Sequence, residues 1–150
     1  MDFKLLPLDE SDLTQFKSDM KEAFQMGAEQ NLPQEEFEEV LPDKDIEDSL
    51  SKDGAVSYKA VVDGKMVGGA IVIINSKTHH NHLDFLYVKH GIQSKGIGRK
   101  MWKAIEQLYT DTEIWETCTP YFEKRNIHFY INKCGFHAVE FFGEFNRDPN

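Results

Sequence analysis

The hexapeptide Gln93-Ser94-Lys95-Gly96-Ile97-Gly98 sits between an apolar run ending Leu86-Tyr87-Val88 and an amphipathic run that starts at Ile97. A chain that leaves a strand and enters a helix directly gives that helix N–H groups with no partner inside it. They carry the positive end of the helix dipole, which makes the turn a seat for phosphate. Gly96 and Gly98 let the backbone approach such a ligand with no Cβ in between. Lys95, Arg99 and Lys100 add positive charge here, although the whole chain has 17 basic against 26 acidic residues, net −9. That local reversal of sign is the physical argument for an anionic ligand. The spacing is not that of a P-loop, because no Gly-Lys-Ser/Thr follows. Nor is it a dinucleotide fingerprint, because Met101 stands where the third glycine belongs. On spacing alone, an ordinary turn with a glycine for tight packing remains the alternative. Upstream, His82 and Asp84 could move protons, since imidazole titrates at about 6.5.

The elements that must position these groups follow from periodicity. Phe3 to Leu8 is expected as a strand. Ser11 is expected to cap a helix bearing Leu13, Phe16, Met20 and Phe24 on one face, with Gly27 and Pro33 breaking it. Residues 34 to 52 are strongly acidic, and Pro42 is expected to separate two short helices there. Ala55 to Val62 and Met66 to Asn75 form a hairpin around Asp63-Gly64. A polar loop from Ser76 to Asn81 leads into a strand from Leu83 to Val88. The helix after the loop carries Ile97, Met101, Ala104, Ile105 and Leu108 on one stripe. A strand from Glu113 to Thr117, a helix from Phe122 to Lys133 capped by Gly135, and a strand from Phe136 to Phe142 complete the chain. The strand–helix–strand unit around Gly96 implies parallel pairing, so the sheet is mixed. The expected class is α/β (α+β), one domain spanning 1–150, with a mostly antiparallel sheet flanked by helices.

Composition narrows the partners. The chain has 150 residues and is 40% hydrophobic, enough for one core. Net negative charge argues against nucleic acid. Two cysteines make no disulfide framework, and the first residues show no basic-then-apolar leader. No run approaches the ~20 apolar residues of a membrane span. The expectation is a soluble cytoplasmic protein with neither membrane nor nucleic-acid partners.

The stretch from Leu83 to Leu108 resembles the acetyl-CoA-binding motif of the GNAT superfamily of N-acetyltransferases. That motif reads Gln/Arg-x-x-Gly-x-Gly/Ala, matched by Gln93 to Gly98 after the Leu-x-Val strand pattern of Leu86-Tyr87-Val88. A second match is Phe129-Tyr130-Ile131-Asn132-Lys133-Cys134-Gly135-Phe136. With the N-terminal helices the resemblance covers nearly the whole chain. It implies the acyl-CoA N-acyltransferase fold, in which the sheet splays in the middle between the strands here at Leu83–Val88 and Glu113–Thr117. It implies acetyl-CoA as co-substrate, with the backbone of Leu86, Tyr87 and Val88 on the pantetheine arm. The N–H groups of Gln93, Ser94, Lys95, Gly96, Ile97, Gly98 and Arg99 would take the pyrophosphate. It also implies that Tyr130 protonates the departing thiolate, which suits a phenol of pKa about 10. The asparagine that many members place seven residues before that tyrosine is replaced by Glu123. Asn126 shares a helix face with Tyr130 and is the substitute candidate.

Acyl transfer to an amine needs a base. His82, Asp84, Leu86 and Val88 should share one side of their strand unless a bulge intervenes. His82 and Asp84 are the first candidates, and Glu116 is the third. His79, His80 and His82 invite a metal reading, but His79 faces differently and no cysteine is near, so no metal is expected. The acidic run from Glu35 to Asp48 favours a cationic acceptor, either a small molecule or a peptide amine. A homodimer is left open. The other reading is a CoA-binding sensor or interaction domain without catalysis.

Overall fold

The computed structural model describes residues 2–31, 41–92, 96–118 and 136, with no side chains described for 27–31. Expectations that fall on Gln93, Ser94, Lys95, Glu123, Asn126, Tyr130, the helix at 122–133 and the last strand lie outside the described residues.

Strand β1 (Phe3–Pro7) leads through a 3-10 turn (Glu10–Asp12) into helix α1 (Leu13–Asn31). The helical path starts earlier than Ser11 implied. Asp9 flanks the turn, and its N–H donates to the Asp12 carboxylate at 3.1 Å, so Ser11 lies inside the turn and caps nothing. Gly27 does not break α1, which runs on to Asn31. A single helical glycine costs only about 1 kcal/mol, too little to end a helix by itself. Helix α2 (Asp43–Leu50) follows, with Pro42 at its N-cap position and Asp43 and Asp45 in its first turn, where carboxylates favour the dipole.

Strands β2 (Ala55–Val62), β3 (Lys65–Ile73) and β4 (His80–Val88) form the expected antiparallel meander, with β1 beside β2. The turn between β2 and β3 puts Asp63 at φ 51° and Gly64 at φ 82°, the pair of left-handed residues that a tight hairpin needs. β4 begins at His80, three residues before the expected start. The Asn75 side chain tightens the preceding loop by accepting the N–H groups of Lys77 and Thr78. Helix α3 (Ile97–Leu108) then crosses to β5 (Ile114–Thr117), which pairs with β4 in parallel. The described sheet runs β1-β2-β3-β4-β5.

Helices cover both faces. On one, Met101, Trp102 and Ile105 of α3 pack with Tyr58, Ala60, Ala70, Val72, Leu83 and Leu86. On the other, Phe16 and Met20 of α1 and Ile46 of α2 pack with Ile71 and Tyr87. At Gly69 in β3 the approach of α1 is so close that a Cβ would collide with the rings of Phe16 and Tyr87. Gly69→Ala should therefore cost about 1–3 kcal/mol through overpacking, read as a lower urea midpoint at unchanged slope. An unchanged midpoint would show that the α1 contact is looser than described.

Candidate active site

The pairing of β3 with β4 slips by one residue. Ile71 lies opposite Phe85, whereas Val72 lies opposite Leu83, so Asp84 is an extra residue with no partner in β3. Such a bulge places two neighbouring side chains on one face. The alternation expected for His82, Asp84, Leu86 and Val88 is therefore broken. His82, opposite Ile73, and Asp84 face α1 and α2 together with Phe85 and Tyr87. Leu83, Leu86 and Val88 face α3.

Asp84 turns inward against α2, and only 6% of its side chain is exposed. A buried carboxylate needs donors for its lone pairs. Ser49 Oγ and Lys52 Nζ each donate to Oδ2 at 2.7 Å, and His82 Nδ1 lies 2.7 Å from Oδ1. Burial pushes the carboxyl up, but the hydrogen bonds from His82, Lys52 and Ser49 outweigh it and hold its pKa at about 2. Asp84 is thus ionised at neutral pH and can only accept. His82 Nδ1 must then carry the proton, leaving Nε2 as the free acceptor of the neutral ring. The arrangement is a carboxylate-oriented imidazole, able to take a proton from a group that approaches Nε2. Glu116 of β5 stands opposite His82 in register, so it shares that face, and it is exposed.

Sequence reasoning missed Ser49 and Lys52. Ser49 lies in the last turn of α2 and Lys52 two residues past its end, inside a charged stretch whose composition hid them. The only available signal was that Ser49 lies on the apolar side with Ile46, where a buried hydroxyl needs a partner. Other acids of that stretch have local tasks. Glu47 pairs with Lys17 at 2.9 Å and Asp43 with Lys21 at 3.2 Å, tying α2 to α1.

β4 and β5 pair only from His80/Ile114 to Leu83/Thr117, where Thr117 Oγ donates to the Leu83 carbonyl at 2.9 Å. Past Leu83, β4 continues to Val88 with no described strand on that side. Its edge there offers backbone donors and acceptors to a ligand. Leu86 and Tyr87 are buried, and the Tyr87 ring points away, edge-on to Phe16 at 5.6 Å, so only its backbone faces the edge. The Tyr87 hydroxyl has no hydrogen-bond partner, and burial, with Asp19 nearby, pushes its pKa far up.

At the start of α3, Gly96 is left-handed with φ 75°, a conformation that L side chains rarely adopt. Ile97 and Gly98 are buried, while Arg99 and Lys100 are exposed at the same helix end. Gly96 itself caps α3 with no side chain, and Arg99 and Lys100 put positive charge beside that helix end. The three histidines of the metal reading go separate ways. His79 meets Asp111 at 3.3 Å and His80 meets Glu113 at 3.8 Å, while His82 is bound to Asp84. Among the described residues no three His, Cys, Asp or Glu are placed to hold a metal ion. Among them, too, no helix is long and apolar enough to cross a membrane.

A parallel strand pair whose described pairing stops at Leu83, beside a glycine-opened helix, invites comparison with known proteins. The sequence model of the acetyltransferase (GNAT) family matches residues 17–136. The chain belongs to the GNAT family of acetyltransferases. Its mixed, mostly antiparallel open sheet with helices on both faces is the GNAT fold. The uncharacterized protein YrkN of Bacillus subtilis strain 168 is 50% identical over 141 residues, covering 94% of this chain and 76% of YrkN. Among solved structures, the PaiA N-acetyltransferase of Thermoplasma acidophilum, in complex with coenzyme A, superposes with TM-score 0.72 at 19% identity. That match covers 95% of this chain and 94% of PaiA. The aminoglycoside acetyltransferase meta-AAC0020 from an uncultured soil sample, in complex with sisomicin, gives 0.62 at 21% identity, covering 94% of each chain. The putative acetyltransferase YycN of Bacillus subtilis gives 0.74 at 10% identity, over 95% and 97%. At these identities the structures bear on the GNAT fold alone.

The Asp84 network has a pH signature. Its folded pKa, about 2, lies below the ordinary carboxylate value, so the unfolded state takes up a proton first as pH falls. The stability it contributes is complete above about pH 4 and is lost as pH falls through about 2. Denaturation measured across that window should show a loss of about 2 kcal/mol that is absent in Asp84→Asn. An equal slope in both proteins would contradict the network.

Proposed function

We propose that the protein is an N-acetyltransferase that moves an acetyl group from acetyl-CoA to a primary amine of a small cationic molecule or a peptide. The observation that carries this reading is the juxtaposition on β4 of two features. One is a backbone edge left free where β5 ends its pairing. The other, beginning one residue past Leu83, is the bulge whose Asp84 orients His82. Membership of the GNAT family supports acyl transfer.

The residues fit the donor. The free edge of Leu86, Tyr87 and Val88 offers the amide pairing that a pantetheine arm requires. The turn through Gln93, Ser94, Lys95, Gly96, Ile97, Gly98 and Arg99 offers N–H groups and positive charge to a pyrophosphate. Asn126 is assigned to the pantetheine arm in place of the asparagine that Glu123 displaces. Bound acetyl-CoA supplies an acyl carbon activated as a thioester. The acceptor attacks as the neutral amine, His82 takes the proton it sheds at Nε2 as the N–C bond forms, Asp84 holds the resulting imidazolium, and Tyr130 gives its phenolic proton to the leaving sulfur. The N–C bond forms as the C–S bond breaks, and both proton transfers stay on side chains of this chain. A cationic acceptor is favoured by net charge −9 and by exposed Glu116 on the His82 face. The activity is assigned to one domain spanning 1–150, in the cytoplasm, where the co-substrate is at hand.

Free thiol released from acetyl-CoA should rise with one member of a panel of polyamines, aminoglycosides and lysine peptides. With that amine, His82→Gln should lower kcat/KM by about 10²–10⁴-fold and Tyr130→Phe by at least about tenfold. The absence of amine-dependent release across the panel, with acetyl-CoA still raising the melting temperature, would favour a binding domain without catalysis.

A further inference from the structure

Ser49 belongs to α2 and Lys52 to the turn just past its end, not to the strand that carries the dyad, and yet both end on the same oxygen of Asp84. Oδ2 is filled by these two donors, which leaves Oδ1 turned to His82. Without them the carboxylate could rotate, or turn toward solvent, and the imidazole would lose its fixed tautomer. Lys52 also brings the single positive charge that meets Asp84 in a salt bridge at 2.7 Å. Half of the Lys52 side chain is exposed, so its stem needs no burial and the contact is made by the head group. In the sheet register the described residues opposite His82 are exposed Glu116 from β5 and apolar Ile73 from β3. Among these neighbours Lys52 is the one cation.

We propose that Ser49 and Lys52 are positioning residues for the His82 base: Ser49 fixes the rotation of the Asp84 carboxylate, and Lys52 cancels the charge that Asp84 would otherwise lend to a protonated imidazole. This rests on the assignment of His82 as base. A base must be neutral to accept a proton, so an uncancelled carboxylate would keep His82 protonated to higher pH and move the onset of activity upward. The two residues therefore set the pH at which the site becomes competent, and they do so from outside the reacting centre.

The test reads His82 directly, by proton NMR titration of its ring, alongside the pH profile of kcat/KM for acetyl transfer to the amine the panel identifies. Lys52→Met should raise the His82 midpoint by about one pH unit, and Lys52→Arg should restore it. The acid limb of the rate profile should move by the same amount. Ser49→Ala keeps the charges and should leave the midpoint within about 0.3 unit while kcat falls about tenfold at unchanged KM, with Ser49→Thr recovering it. A His82 midpoint that stays put in Lys52→Met overturns the proposal, whatever the enzyme does. A midpoint that moves without the rate profile following upholds the link between Lys52 and His82 and instead refutes His82 as the base. Lys52 is exposed and Lys52→Arg keeps its charge, so a folding defect in one variant does not mask the outcome.

Discussion

Asp84 is an insertion in the ladder between β3 and β4 that turns its carboxylate inward, and a buried carboxylate must find donors. It finds them in Ser49 of α2, in Lys52 of the turn after it and in its own near neighbour His82. A charge buried with one partner missing is costly, so these contacts bind α2, the strand and the imidazole into one unit. The same insertion reverses the alternation of β4. Without it His82 would lie on the face with Leu86 and Val88. With it, the imidazole and carboxylate look toward α1 and α2, while the residues packing α3 continue undisturbed on the other side.

β4 consequently does three separate things. Its α3-facing side chains complete one core, and Phe85 and Tyr87 complete the other. Among the described residues its backbone edge beyond Leu83 has no partner strand, because β5 pairs only as far as Thr117. The division frees the edge from any side-chain role: the Tyr87 ring is committed to Phe16, and Leu86 to the α3 core. What the edge can still recognise is amide geometry. α3 adds the second requirement, a helix end opened by left-handed Gly96 with Arg99 and Lys100 exposed beside it.

Much of this was legible in the sequence. Asp63-Gly64 announced the hairpin and the 97, 101, 105 spacing announced α3, while the change of sign around Lys95 to Lys100 is a reason for proposing an anion site there. His82 and Asp84 were visible as a pair of types, but their common face away from Leu86 was not, because a bulge leaves no pattern in residue types. Gly27 misled because a helix with enough packing absorbs one glycine, and Ser11 misled because Asp9 and Glu10 start the helical path sooner. Ser49 left only the faint trace of a hydroxyl on the apolar side beside Ile46, and Lys52 left none, since their meaning comes from a contact with Asp84 some thirty residues away in sequence. Long-range partners of that kind are fixed by the fold and not by local spacing.

In the proposed function the edge of β4 beyond Leu83 and the opening turn of α3 together seat the acyl donor. Amide hydrogen exchange followed residue by residue, with and without saturating acetyl-CoA, reads that seat directly. New protection is expected at Phe85 to Val88 and at Ile97 to Lys100, with the β1–β2 ladder unchanged. Protection confined to other parts of the chain, or none at saturation, would contradict it.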